Sequence, residues 1–207
     1  MDVRRDDFDM RFKFFNIEFF ISVFFPIILC LMFLIDSTGM MSASFFAVIV
    51  HEIGHLFVMK IFKCTPRKIE LTFAGILISG TDNLNRKENF FILFGGPFFN
   101  IIFGFFLYFL YNYLKLNLFI VNSAVQLSFA ALNLIPINGL DGGSLLTILL
   151  SVFFSNEKSE FVSTVVSLLS TVVIIFVGIT VVFIGKGNIS LLLLGIYMGI
   201  LNFVKVV

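Results

Sequence analysis

The sequence holds two histidines, four residues apart in His51-Glu52-Ile53-Gly54-His55. On a helix, positions i and i+4 share a face, so the two imidazoles can converge on one metal ion. Glu52 lies about 100° around the helix from His51, within reach of a water at that ion without being a ligand. Such a set would do hydrolysis: a divalent cation polarises a carbonyl and the carboxylate takes a proton from water. Gly54 gives close access to a neighbouring helix or a substrate. The alternative is a pair of structural histidines hydrogen-bonded inside a helix bundle.

A catalytic zinc ion usually has three protein ligands and one open position. With no further histidine, the third ligand must be a carboxylate or a cysteine. Asp141 is the main candidate, in Asn133-Leu134-Ile135-Pro136-Ile137-Asn138-Gly139-Leu140-Asp141-Gly142-Gly143. Cys30 is its rival, but nothing around it breaks a helix or adds polar groups.

The elements that must position these residues are membrane spans. Of 207 residues, 59% are hydrophobic, only 13% are charged, and 31 are Phe; mean hydropathy is +1.07. A soluble domain would be about 45–50% apolar and about 25% charged. Disorder and a disulfide scaffold are excluded, and a net charge of +1 gives no field for nucleic acid. Crossing the hydrocarbon takes about 20 apolar residues. Suitable runs lie at Phe14–Ile35, Ser42–Phe62, Asn89–Leu114, Leu118–Phe154, Phe161–Ile184 and Ile189–Val204. The expectation is an all-α polytopic membrane protein with about six transmembrane helices. Residues 1–13 would be a head, and 14–207 a single membrane-embedded domain with a core at 14–150 and two further helices at 161–184 and 189–204. The first run is longer than a secretory h-region and its head mixes Asp with Arg, so it reads as a retained span.

Twelve of the fourteen Lys and Arg fall on one side of six crossings, leaving Lys115 and Lys186 opposite. Both termini are therefore expected in the cytoplasm. Within the runs, away from their edges, the ionisable residues are His51, Glu52, His55 and Asp141. Each costs about 2.5–3.5 kcal/mol at a helix centre, so their placement needs a use.

Geometry favours Asp141 as the third ligand. A continuous helix from Leu118 to Phe154 would run about 55 Å, far longer than the bilayer core. Pro136, Gly139, Gly142 and Gly143 supply a break, and an unwound stretch at membrane depth is tolerated only where it is buried or lines a wet cavity. His51 lies about 14 Å along its helix from Ser42 and His55 about 6 Å further, at a depth similar to the break.

Two further clusters are ambiguous. Asn100, in Gly95-Gly96-Pro97-Phe98-Phe99-Asn100, either bonds the active-site region or bridges helices at a Gly-Pro kink. Gly195 and Gly199 have the spacing of a packing face, within the bundle or in a dimer. Between the second and third runs, Ile69–Phe73 and Ala74–Ile78 have strand lengths. They predict a small re-entrant or membrane-associated β-element after the second helix, acting as a hairpin plug or as a substrate-binding edge.

Taken together, HEIGH at 51–55, GGPFFN at 95–100 and NLIPINGLDGG at 133–143, in that order on separate spans, resemble the site-2 protease family of intramembrane zinc metalloproteases. The resemblance covers about Phe14 to Leu150. It implies one zinc ion per chain held by His51, His55 and Asp141, with Glu52 as general base. Asn133 would help hold the substrate or the oxyanion, and the 69–79 strands look like the family's re-entrant β-element; Asn100, from its own cluster, is a further candidate for the substrate or oxyanion. It further implies a multi-pass protein of a bacterial cell membrane that cleaves a transmembrane protein substrate, such as an anti-sigma or pro-transcription factor. Many members have Pro where this chain has Gly139, and no PDZ segment or nucleotide-sensing domain is seen, so a minimal member is expected. The competing class is an ion or metal transporter using the same cluster, which predicts transport dependent on Asp141 and no peptide product.

Overall fold

A computed structural model describes residues 10–14, 17–22, 24–36, 38–72, 75–79, 84–184 and 189–206. Residues 1–9 of the expected head, and Lys186, lie outside the described residues. The polypeptide packs as two compact units, Met1–Phe129 and Ala130–Val207. Their boundary falls inside a helix, within what the sequence presents as one apolar run.

The first unit contains β1 (Met10–Phe14), β2 (Ile17–Ile21), α1 (Phe24–Ile35), α2 (Met40–Ile61), β3 (Lys68–Thr72), β4 (Gly75–Ser79), α3 (Arg86–Leu114) and most of α4 (Asn117–Asn133). The four strands form one sheet in the order β1-β2-β3-β4. Two antiparallel hairpins meet in a parallel joint, where Glu18 pairs with Lys68 and Ile21 with Leu71. The hairpin expected at 69–79 is present as β3 and β4.

The first hydrophobic run requires correction. Phe14–Ile35 reads as a single crossing, but its first part is strand and α1 has only 12 residues, about 18 Å against a hydrocarbon core of about 30 Å. Pro26 lies in the first turn of α1, where a missing N–H is tolerated and a helix starts readily but does not extend far upstream. Before it, the Glu18 N–H donates to the Arg67 carbonyl at 2.8 Å, beginning the parallel ladder. Among the described residues, three helices are long and apolar enough to cross a membrane: α2, α3 and α6 (Asn156–Ile184). The other expected crossings contain shorter helices.

Helix α2 starts where Asp36 gathers free amide groups. Its carboxylate accepts from the N–H groups of Thr38, Met41 and Ser42 and from the Thr38 hydroxyl, satisfying first-turn donors that Gly39 has no side chain to cap. Desolvation works to raise the Asp36 pKa, and these hydrogen bonds outweigh it and hold the carboxyl below its usual range. The middle of α2 lies against α3 through glycine. A Cβ on Gly54 would sit 2.4 Å from the Gly95 carbonyl oxygen, so the two backbones meet where any side chain would hold them apart. On the other side of α3, Gly104 lies close to Leu127 of α4 and its carbonyl accepts from Ser123.

The second unit begins at the end of α4 and contains α5 (Asp141–Leu150), α6 and α7 (Ser190–Val206). The break expected near Pro136–Gly143 is there, and short turn bonds replace the helical ladder: Ile137 N–H to Ile135 O and Leu140 N–H to Ile137 O. Gly139 has φ 97°, a conformation closed to proline, whose ring fixes φ near −65°. Glycine at this position is therefore required by this loop. Gly142 and Gly143 let the unwound stretch fold onto the first turn of α5, since a Cβ on either would come within 2.4 Å of Leu134, Ile135 or Ile137 backbone. Gly195 lies against Ile174 and Ile175, and Gly199 faces Thr171. The GxxxG spacing thus serves packing of α7 on α6.

Candidate metal centre

His51 and His55 fall near the middle of α2 and one turn beyond it. Their ring centroids are 4.7 Å apart and their planes nearly perpendicular. His51 Nε2 and His55 Nε2 approach to 3.1 Å. The far nitrogen of each ring is held by the protein. His55 Nδ1 is 2.7 Å from the Ile92 carbonyl oxygen, which can only accept, so this nitrogen carries the proton. His51 Nδ1 is 2.8 Å from Asn100 Oδ1.

The orientation of Asn100 follows from its other bonds. Its Nδ2 donates to the Ala47 carbonyl and to Gln126 Oε1. Both amide hydrogens are spent on atoms that accept, so the oxygen must face His51 and the His51 proton sits on Nδ1. With the Nδ1 of each ring held by an oxygen, the two Nε2 atoms face one another at 3.1 Å, a spacing at which both could serve one cation. Metal-bound histidines characteristically donate the opposite N–H to a carbonyl or carboxylate, which fixes tautomer and ring plane.

Bare backbone and an aromatic ring stand beside the two imidazoles. A Cβ on Gly96 would lie 2.5 Å from His55 Nε2 and 2.7 Å from His51 Cε1, so α3 can approach the imidazoles only through glycine. Phe129 stands edge-on to His51, with centroids 5.2 Å apart. His51 is buried, whereas Glu52 and His55 are half-buried. This mix leaves the histidines supported and the carboxylate reachable.

Asn133 and Asp141 lie in the second unit. Asn133 is the last residue of α4 and Asp141 the first of α5, both half-buried, at either end of the unwound stretch. Asn100 is expected from sequence to serve substrate or oxyanion. Here both of its amide hydrogens are committed within the protein, and its oxygen is engaged by His51. Cys30 is exposed on α1.

Gln126, Gly96 and the Ile92 carbonyl are parts of the centre that sequence reasoning misses. Gln126 does leave a signal: a fully buried amide in an otherwise apolar run is costly without a partner, and Asn100 is that partner. Gly96 could be suspected only as half of a Gly-Gly pair. The Ile92 carbonyl leaves no trace in side-chain identity.

No protein-family model matches the sequence, and no curated protein does. Among solved structures, the chain is similar to the site-2 protease from Methanocaldococcus jannaschii. The TM-score is 0.66 at 22% identity, with 92% of this chain and 91% of that chain covered. The chain has the fold of a site-2 protease.

Proposed function

We propose that the protein is an intramembrane zinc metalloprotease that hydrolyses a peptide bond in or near a transmembrane segment of a membrane-tethered regulatory protein. The observation that carries this reading is the facing pair of imidazole Nε2 atoms, 3.1 Å apart, with the opposite nitrogen of each ring held by an oxygen. Two imidazoles and a carboxylate suit zinc, and His51, His55 and Asp141 together could hold such an ion. Similarity of fold to a protein named as a site-2 protease supports the same chemistry.

A bound zinc ion supplies the Lewis acidity that makes water nucleophilic near neutral pH and polarises a scissile carbonyl. Glu52 accepts the water proton and returns it to the leaving amine. Asn100 keeps His51 in its ligating tautomer, with Gln126 and the Ala47 carbonyl fixing Asn100 in turn. Asn133 is the candidate donor to the oxyanion. A substrate helix hides its carbonyls in i→i−4 bonds and must be unwound before attack. Strand β4 is an edge strand in the sheet, and pairing with it would replace the hydrogen bonds the substrate gives up. Substrates of this kind include anti-sigma and pro-transcription factors, and the reaction releases them on the side where both termini lie, the cytoplasm of a bacterial cell.

The test is Glu52→Gln in purified protein in lipid vesicles with a panel of single-span reporter proteins. Zinc content stays at the wild-type level and cleavage falls at least about 100-fold, the ordinary weight of a general base. Full cleavage by the variant would end the protease reading.

A further inference from the structure

Helix α6 carries hydroxyls at every fourth position, Ser159, Ser163, Ser167 and Thr171, all buried. Two of them, Ser163 and Ser167, bond the unwound stretch or the start of α5. The N–H of Asn138, three residues before Asp141, has left the helical ladder, and it donates to Ser167 Oγ at 2.7 Å. Ser167 passes its own proton to Asn202 Oδ1 on α7 at 2.6 Å. The direction is set by Asn202 Nδ2, which donates to the Met198 carbonyl, an atom that can only accept, and to Thr171 Oγ1. Thr171 in turn donates to the Ser167 carbonyl. Donation thus runs one way, from the loop amide through Ser167 to Asn202 on α7.

A second contact lies on the other side of Asp141. Thr147 donates to Ser163 Oγ at 2.8 Å, and Ser163 donates to the Gly143 carbonyl at 3.3 Å. The α6 hydroxyls therefore hold the backbone three residues before and two residues after Asp141. Packing of α6 on α7 does not need these groups, because Gly178 and Gly195 already provide close approach. What the hydroxyls add is a fixed partner for an amide that has none within its own turn, in a part of the chain that water does not reach.

We propose that Ser167, oriented by Asn202, is a positioning residue for Asp141: it fastens the unwound stretch so that the carboxylate is held ready for the metal. This gives the last two helices, which carry no ligand, a part in the centre. It rests on the reading of Asp141 as a zinc ligand. Groups that orient metal ligands from behind typically change metal affinity or activity about 10- to 100-fold when removed.

The experiment uses the full chain in detergent micelles and reads two quantities. One is the rate at which bound zinc passes to a chromogenic chelator. The other is hydrogen exchange at the Asn138 amide in metal-stripped protein. Ser167→Ala and Asn202→Ala release zinc about tenfold faster or more and exchange Asn138 faster without metal, while Ser167→Thr returns both toward wild type. Ser159→Ala removes a buried hydroxyl of the same stripe that bonds only the Ser155 carbonyl, and it leaves both rates unchanged. If Ser167→Ala does not keep its helix content, Asn202→Ala is judged by the same two rates. Asp141→Ala runs alongside. Zinc held as firmly by Asp141→Ala as by wild type overturns the metal reading itself. Zinc lost from Asp141→Ala but held normally by Ser167→Ala and Asn202→Ala, with unchanged Asn138 exchange, overturns the positioning role alone.

Discussion

His51 Nε2 lies 3.1 Å from His55 Nε2, while the opposite nitrogen of each ring faces an oxygen on α3. Helix spacing alone brings two histidines to one face. It does not decide which nitrogen is protonated, and that decision belongs to Asn100 and to the Ile92 carbonyl. The pair is therefore prepared by a second helix, about 40 to 50 residues later in the chain, as ligand-orienting groups generally are.

Metal content should track the three proposed ligands. His51→Ala, His55→Ala and Asp141→Ala each lose bound zinc by elemental analysis, whereas Cys30→Ala retains it. Zinc loss from the cysteine variant and retention by the Asp141 variant would exchange the two assignments.

Asn100→Leu frees the His51 ring and strands Gln126, so zinc affinity falls about 10- to 100-fold. Gln126→Leu leaves Asn100 with the Ala47 carbonyl and costs less. Competition titration against a calibrated chelator ranks the two, and the reverse order would show that Asn100 is not what orients His51.

Glycine at 96 and at 199 should behave oppositely. Gly96→Ala places a methyl 2.5 Å from the His55 ring nitrogen, and zinc binding is lost even where helix content survives. Gly199→Ala finds its nearest neighbour at 3.6 Å, and metal content and thermal midpoint stay close to wild type. Calorimetry with metal analysis on both variants checks the contrast.

Proline introduced singly along Ile76–Ser79 removes an N–H and blocks strand addition at those positions that face outward. Cleavage of a transmembrane reporter falls while zinc remains bound. Unchanged cleavage at every position would remove β4 from substrate capture.

Much of this centre is legible in the order of the residues. The HExxH spacing fixes a helix face, and Pro136 with three glycines marks the broken run, because both signals are local. The N-terminal strands are hidden for two reasons. Their partner β3 lies some fifty residues later in the chain, and Phe-rich sequence saturates hydropathy, so Glu18 falls inside what reads as a span when its backbone is part of a sheet. The stripe on α6 is visible as four-residue spacing of hydroxyls. Its purpose is not, since the amide it serves belongs to the backbone of Asn138 and carries no side-chain signature. Asn100 illustrates the limit from the other direction: its type promises a polar contact, but only its bonding partners decide whether it faces a substrate or a histidine.

The parallel joint between β2 and β3 sets a condition on how the chain is threaded. A strand made before α1 is hydrogen-bonded to one made after α2, so the polypeptide must return to the surface it left. If α2 passes through the bilayer, the segment ahead of it has to make the outward journey, short as α1 is. The β2–β3 pairing can then close only after both α1 and α2 have been made, since β3 follows them in the chain.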